Sequence, residues 1–236
     1  MRALAINITF IFSSLTETGY PHNLRGLAAF IKQPYDLPLA LWQFLFLIDN
    51  PSCTSAPNSL SELPQFHGRV HVHHSALATF FAPSDLCGVG GMRQEQIRST
   101  PCWYDHPRHD TIYVVLDDNP PGMEGMVIAR VLLFLSFNYK RVDYSCTLVN
   151  WLVHNSDDPD PDTGMWIFSL EQQNGKPTAQ VIDVKTIAHA AHLLPVFGPD
   201  PVPTDIQYYN SLDRYQSFFV NTFVDHYSHE TLTEHY

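Results

Sequence analysis

The sequence predicts a β-rich α+β protein, built as a small, partly open β-barrel with helical flanks. Segments rich in Val, Ile, Tyr, Phe and Trp follow one another between residues 111 and 184, and turn signals containing Asn, Asp, Pro and Gly separate them. Before residue 50, by contrast, apolar residues recur at helical spacing. We therefore expect the barrel in the middle of the chain, with helices before and after it.

Five segments supply the expected barrel strands. The short sequence NYKR at 138–141 fits a hairpin that joins the two longest segments. In the segment 142–153 the apolar alternation slips by one residue between Leu148 and Val149, which predicts either a β-bulge or a strand buried on both faces. The five segments are TIYVVL (111–116), MVIARVLLFLSF (126–137), VDYSCTLVNWLV (142–153), MWIFSL (165–170) and AQVIDV (179–184).

The barrel is one of four regions expected along the chain. The first contains a helix over 37–48, and the second contains a strand at 69–73 and a helical turn at 75–81. In the last, Ser211 is placed to cap a helix that continues through residue 219. The regions are a helical extension and linker (1–60), an irregular connector with a short strand (61–110), the barrel (111–200) and a helical tail (201–236).

The charge distribution argues against a nucleic-acid-binding surface. The chain has 13 Lys and Arg against 24 Asp and Glu, so its formal net charge is −11. In the stretch from Arg93 to Arg98, Arg93, Glu95 and Arg98 sum to a single positive charge, which neutralises about one phosphate. We therefore expect no direct nucleic-acid binding, and a basic protein partner such as a histone-like tail.

Cysteine usage and apolar runs predict the compartment. Cys53, Cys87, Cys102 and Cys146 form no C-x-x-C pair, and we interpret them as reduced thiols. The apolar run 3–12 resembles a signal-peptide core, but two polar residues interrupt it and no small-residue cleavage site follows closely. The helix expected after it is shorter than the roughly 20 residues that cross a bilayer. We expect an intracellular protein, nuclear or cytoplasmic, that is neither secreted nor membrane-bound.

His71 and His73 are the candidate metal ligands. Strand alternation places both side chains on one face, as two imidazole ligands of one metal require. The sequence offers a third ligand at no recognised spacing. A metal-dependent β-barrel enzyme using His71 and His73 is therefore the alternative to a non-enzymatic protein, for which we expect no cofactor.

Tyr113, Tyr139, Trp151 and Trp166 are the candidate binding residues. They lie on or between the expected barrel strands, where aromatic rings can line a recognition groove or surround a cationic side chain. The other interpretation of these residues is packing in the core. No motif in the chain predicts a catalytic residue.

Six sequence runs carry a likeness to a known family: APSDLCGVGGMRQEQIRSTPCW (82–103), ARVLLFLSF (129–137), CTLVNWL (146–152), PDPDTGMW (159–166), VIDVKTIAHAAHLLPVFG (181–198) and FFVNTFVDHYSHE (218–230). They resemble the C-terminal part of transposon-derived proteins of mushroom-forming fungi, the Plavaka and KDZ type. The resemblance implies an origin, as a C-terminal piece of a larger protein. It implies no catalytic residue, because in such elements the catalytic acids lie upstream of this region.

The order of the segments resembles an SH3-like barrel of the BAH type. The strand VNWL, the acidic turn after it and the closing segment VIDVKTI carry this likeness. Such barrels serve chromatin and protein contacts, although a fold alone does not fix a function. Together, the two resemblances imply a non-enzymatic protein-interaction module that is derived from a transposon protein and associated with chromatin.

Overall fold

A computed structural model describes residues 9–12, 17–31, 36–82, 89–116, 122–199 and 201–233. Within these residues the protein is β-rich, with a nearly closed antiparallel barrel and a few helices, which confirms the predicted fold class. The strands are β1 (Thr9–Phe12), β2 (Val70–His73), β3 (Ser75–Phe81), β4 (Met92–Trp103), β5 (His106–His109), β6 (Thr111–Val115), β7 (Met126–Tyr139), β8 (Val142–His154), β9 (Ile167–Leu170), β10 (Gln172–Gln173), β11 (Lys176–Pro177), β12 (Ala179–Asp183), β13 (Ile187–Ala191), β14 (Leu193–Pro195) and β15 (Ser217–Val220). The α-helices are α1 (Leu24–Ile31), α2 (Leu37–Asp49), α3 (Ser211–Arg214) and α4 (His226–Thr233).

Two long strands, β7 and β8, organise the molecule. They pair antiparallel along their length and are joined by the predicted hairpin, in which Tyr139 pairs with Val142. Lys140 and Arg141 between them have φ of 50° and 68°, the left-handed conformation that a two-residue turn with the twist of a hairpin requires. The hairpin prediction for 138–141 is therefore confirmed.

One half of β7 and β8 belongs to the nearly closed barrel. Its strand order is β13-β6-β7-β8-β9-β15-β14. β13 and β14 lie at opposite ends of this order, yet only His192 separates them in the chain, so one bent strand brings the barrel close to closure. At this corner the backbone N–H of Asn221 donates to the carbonyl of His192 (2.8 Å). The barrel interior is apolar and holds, among others, Tyr113, Met126, Ile128, Leu152, Phe168 and Phe218.

The other half of β7 and β8 lies between two layers. One face packs on α1 and α2, and the opposite face packs on the β3–β4 hairpin. α2 begins where the Asp36 side chain accepts a hydrogen bond from the Leu39 N–H (3.0 Å). Pro38 is tolerated in the first turn, because an N–H at that position would have no hydrogen-bond partner within the helix. The helical extension thus shares a core with the central sheet.

A β-bulge in β7 exchanges the faces of that strand. Val131 pairs with Val149. Two residues later Leu133 pairs with Leu148, so Leu132 is the extra residue. Before the bulge, buried odd-numbered residues of β7 face the core under the β3–β4 hairpin, and after it they face the helices. Of the two alternatives predicted for 142–153, the structure shows the strand buried on both faces, over 146–150, and the bulge lies in the neighbouring strand β7.

Two predictions of local structure were wrong. Residues 75–81 form strand β3 and not a helical turn, because they pair along their whole length with β4. This pairing also means that region 61–110, expected to be an irregular connector with one short strand, holds β2 to β5. The helix expected from Ser211 ends at Arg214, since residues 217–220 pair with β9 and β14 as β15.

The structure describes some of the residues on which the predictions about thiols and membrane segments depend. Cys53, Cys102 and Cys146 are free thiols, while Cys87 lies outside the described residues. Of the apolar run 3–12, only 9–12 is described, and it pairs with β3 as strand β1. Among the described helices, none combines the length and the apolar character needed to cross a membrane.

Candidate functional site

The structure does not bring the four predicted aromatic residues together. Tyr113 and Trp166 lie inside the barrel, and burial raises the pKa of the Tyr113 hydroxyl above its ordinary value. Trp151 packs on the core beneath the β3–β4 hairpin. Tyr139 packs beside the helices, and its hydroxyl donates to Asp49 (2.8 Å). Because the four rings belong to three separate cores, they do not line a common groove.

His71 and His73 share a face of β2, as strand alternation requires, but their surroundings differ. His73 is buried, its Nε2 lies 2.8 Å from the Ser136 hydroxyl, and its ring stacks on Phe12 at 4.3 Å. His71 is half-buried at the edge of a cavity of about 490 Å³. Among the described residues, no group of three His, Cys, Asp or Glu side chains is placed to hold a metal ion.

A second cavity, of about 350 Å³, is lined by aromatic side chains that the sequence prediction missed. It lies between the β4–β5 hairpin on one side and the segment before α3 on the other. We call it the aromatic groove, and its walls include Trp103, Pro107, Arg108, Arg130, Tyr208 and Tyr209.

A tight turn positions the first wall of the aromatic groove. Tyr104 and Asp105 have φ of 49° and 68°, so the chain reverses within two residues. Trp103 consequently pairs with His106 across the hairpin. This pairing fixes a large ring and a histidine side by side on the surface.

Stacked rings form the second wall. His106 lies flat on Tyr209, with ring centroids 3.6 Å apart and planes within 9° of parallel. Tyr208 stands perpendicular to Tyr209 at 5.3 Å and is 70% exposed. The side chain of Asn210 holds this loop, since it accepts from the Gln207 N–H (2.8 Å) and donates to a backbone carbonyl (3.1 Å). The wall thus presents one fixed ring and one open ring to solvent.

Two arginine side chains of the protein itself contact the ring of Trp103. The guanidinium carbons of Arg98 and Arg108 lie 4.3 Å and 5.4 Å from the centre of the ring. Arg108 also donates to Asp110 (2.7 Å), and Arg130 on the far side donates to Asp213 (2.5 Å). Carboxylates therefore offset the positive charge of both wall arginines.

Two ionisable side chains, His109 and Glu95, line the floor of the groove. Burial, helped by the nearby charge of Arg130, lowers the pKa of His109 to about 4. Its Nδ1 lies 2.9 Å from the Ser99 hydroxyl. Glu95 accepts the backbone N–H of Ala190 (2.9 Å), and burial raises the pKa of this carboxyl above its ordinary value. His109 is consequently neutral near pH 7 and adds no positive charge to the floor.

Only tertiary structure assembles this groove. Trp103 lies in a polar strand, and the pair Tyr208–Tyr209 follows a proline-rich stretch, far away in the sequence. The sequence did contain an indication of this groove. Trp103, Tyr208 and Tyr209 lie in segments without periodic apolar residues, so packing in a core does not explain them.

Comparisons with models of protein families, with curated proteins and with solved structures found no match to this chain. The site itself, and the charge of the molecule around it, are therefore the basis for a functional proposal.

Proposed function

We propose that this protein is a non-enzymatic protein-interaction module that binds a basic peptide segment, such as a histone-like tail, in the aromatic groove. The observation that carries the proposal is the contact of two guanidinium groups with Trp103. A cation over an aromatic ring gains about 0.5–1 kcal/mol at an exposed site. An incoming Lys or Arg side chain meets the same chemistry on the open ring of Tyr208.

Charge and size support a basic ligand. The net charge of −11 attracts cationic segments over distances beyond direct contact. The wall arginines repel such a ligand only weakly, because Asp110 and Asp213 offset them. The cavity of about 350 Å³ lies at the small end of ligand pockets, which suits one or two side chains.

Transposon origin and chromatin association belong to the same proposal. The sequence runs support the first, and the likeness of strand order to BAH-type barrels supports the second. Chromatin also supplies exposed tails rich in Lys and Arg, which are the ligands that the groove favours. A nuclear location follows from this proposal and is tested with it.

Peptide binding tests the proposal directly. We expect a labelled Lys- and Arg-rich peptide to bind, and the matched peptide with Gln in place of each Lys and Arg to bind much more weakly. Tyr208→Ala should weaken binding about fivefold, the loss of about 1 kcal/mol of cation–π contact. Fluorescence anisotropy at low ionic strength gives both affinities.

A matched variant controls for general loss of aromatic surface. Phe223 is 62% exposed just after β15 and does not line the groove, so Phe223→Ala should leave the affinity unchanged. Equal weakening by the two variants, or equal affinity for the basic and the neutral peptide, would show that the groove is not the binding site.

A further inference from the structure

We infer that His22 and His71 form a surface site for a divalent transition metal ion, zinc in particular. The inference is independent of the peptide proposal, because the site lies at β2 and not at the aromatic groove. His22 precedes α1 and His71 lies within β2, yet their ring centroids are only 5.2 Å apart, with planes tilted by 53°. Neutral imidazole is the commonest metal ligand among side chains, and the His22 ring is exposed to an incoming ion.

The separation of the two rings fits one tetrahedral ion. A zinc–nitrogen bond of 2.0–2.1 Å places the centre of an imidazole ring about 3.2 Å from the metal. Two ring centres at that distance and 5.2 Å apart subtend an angle of about 110° at the ion, close to the tetrahedral value. The separation of the two rings is therefore compatible with one shared zinc ion.

The His22 ring is held in the tautomer that a metal requires. Its Nδ1 lies 3.2 Å from the carbonyl oxygen of Val70, which can only accept, so Nδ1 carries the proton. Nε2 then keeps its lone pair for a metal, in the arrangement by which carbonyl groups commonly orient ligating histidines. The backbone is fixed as well, since the Val70 N–H donates to the His22 carbonyl (2.8 Å).

His71 has a polar atom that the described protein leaves unsatisfied. Its Nδ1 is buried and has no hydrogen-bond partner among the described residues, which calls for an explanation in a native fold. His71, unlike His22, also lines the cavity of about 490 Å³. Arg69 and Asp143 both border this cavity, so their charges offset each other.

The site differs from the one that the sequence suggested. His73 contacts Ser136 and stacks on Phe12, which makes His22 and not His73 the partner of His71. Since no third His, Cys, Asp or Glu joins the pair within the described residues, water or an external donor completes the coordination. Such open coordination is the arrangement of exchangeable zinc sites and not of closed structural ones.

Zinc titration of the chain without an affinity tag tests the pair. Isothermal calorimetry should show one equivalent of zinc bound more tightly than the rest. His22→Asn and His71→Asn should each weaken this step at least about tenfold, the lower end of what disturbing a metal site costs. His67→Asn is the matched control, because His67 is exposed just before β2 and contacts neither ring.

His22 decides the result, because it is exposed and its replacement leaves the core intact. Circular dichroism without zinc checks that each variant is folded. An affinity within twofold of the unmodified chain in His22→Asn, or an equal loss in His67→Asn, would overturn the inference. We expect the same peptide affinity with and without zinc, because the metal site and the aromatic groove are separate. The zinc result is therefore independent of the peptide test.

Discussion

At the scale of single residues, His189 has an unfavourable position for a charge. It is 3% exposed, and its ring lies 4.6 Å from that of Tyr113 and 5.3 Å from that of Tyr227. Its Nδ1 lies 2.8 Å from the carbonyl oxygen of Ala190. Burial is the main reason why its pKa falls to about 4, from an ordinary value of 6.5. The folded protein therefore keeps this ring neutral at pH values where the unfolded chain protonates it.

Stability should accordingly fall with acid over a defined range. Between pH 6.5 and about pH 4 the unfolded chain binds a proton on His189 that the folded chain refuses, so the free energy of unfolding decreases as pH falls. A lowered pKa of this size contributes roughly 3 kcal/mol across the range. His189→Phe should make this part of the pH profile shallower by about that amount, as measured by urea unfolding at a series of pH values.

A nearby apolar variant separates charge from packing. Phe80 lies 5.7 Å from the His189 ring, and Phe80→Leu should lower the free energy of unfolding by a similar amount at every pH. If His189→Phe shifted the whole curve without changing its slope, the neutral buried histidine would not be the cause of the acid sensitivity.

At the scale of elements, the bulge at Leu132 allows one strand to serve two cores. Ala129 and Val131 precede it and pack beneath the β3–β4 hairpin. Leu133 and Leu135 follow it and pack beneath the helices, although all four residues have odd numbers. The extra residue therefore shifts the odd–even order of the sequence by one, and Phe134 after the bulge continues the face of Val131.

Deleting Leu132 should leave every other side chain of β7 on its present face. Val131 and Leu133 then follow each other and still pair with Val149 and Leu148, as in a regular strand. Leu132→Ala keeps the bulge and should cost about 2–5 kcal/mol, as for other buried leucines. Near-ultraviolet circular dichroism should show fixed aromatic packing in both variants; a deletion variant without it would contradict the assignment of Leu132 as the extra residue.

The strands that the sequence predicts well are those with a strong local signal. TIYVVL and MVIARVLLFLSF are β-branched and apolar, and they are strands β6 and β7 within two residues of the expected bounds. SALATFF and MRQEQIRSTPCW carry no such signal, because alanines and polar residues dominate them. They are strands because each pairs with the other, and the composition of neither segment shows this pairing.

The candidate sites show the same limit. Strand alternation correctly places His71 and His73 on one face, but it cannot show that His22 lies beside His71. Likewise, the aromatic residues of the strongest strands are used by the cores, so the rings left for binding come from weakly patterned segments. Side chains that meet only through tertiary folding were beyond the reach of a sequence pattern.

At the scale of the whole molecule, the helical extension is part of the core. Leu37, Leu41 and Leu45 of α2 are fully buried. They share a cluster with Leu135 of β7 and Val181 of β12, on one face of the central sheet. The expected division at residue 60 therefore separates segments that pack against each other.

A truncated chain tests whether region 111–200 can fold without that extension. A fragment of residues 61–236 would expose the face that α2 covers, and we expect it to be unfolded or aggregated. In the full chain, Leu41→Ala should cost about 2–5 kcal/mol because it opens a cavity in this layer. Dispersion of amide signals in NMR spectra decides the matter: a well-dispersed spectrum of the fragment would show that the barrel is an independent domain.

The bent strand formed by β13 and β14 also determines when the barrel can form. The Thr111 hydroxyl donates to the carbonyl of Ala191 (2.7 Å), 80 positions later, and Leu193 pairs with Val220. At synthesis rates of about 5–20 residues per second, strand β6 waits on the order of ten seconds for its last neighbours to leave the ribosome. Throughout that time its open edge is available to any other extended chain. We therefore expect the cellular yield of this protein to depend on what covers the edge of β6 during translation.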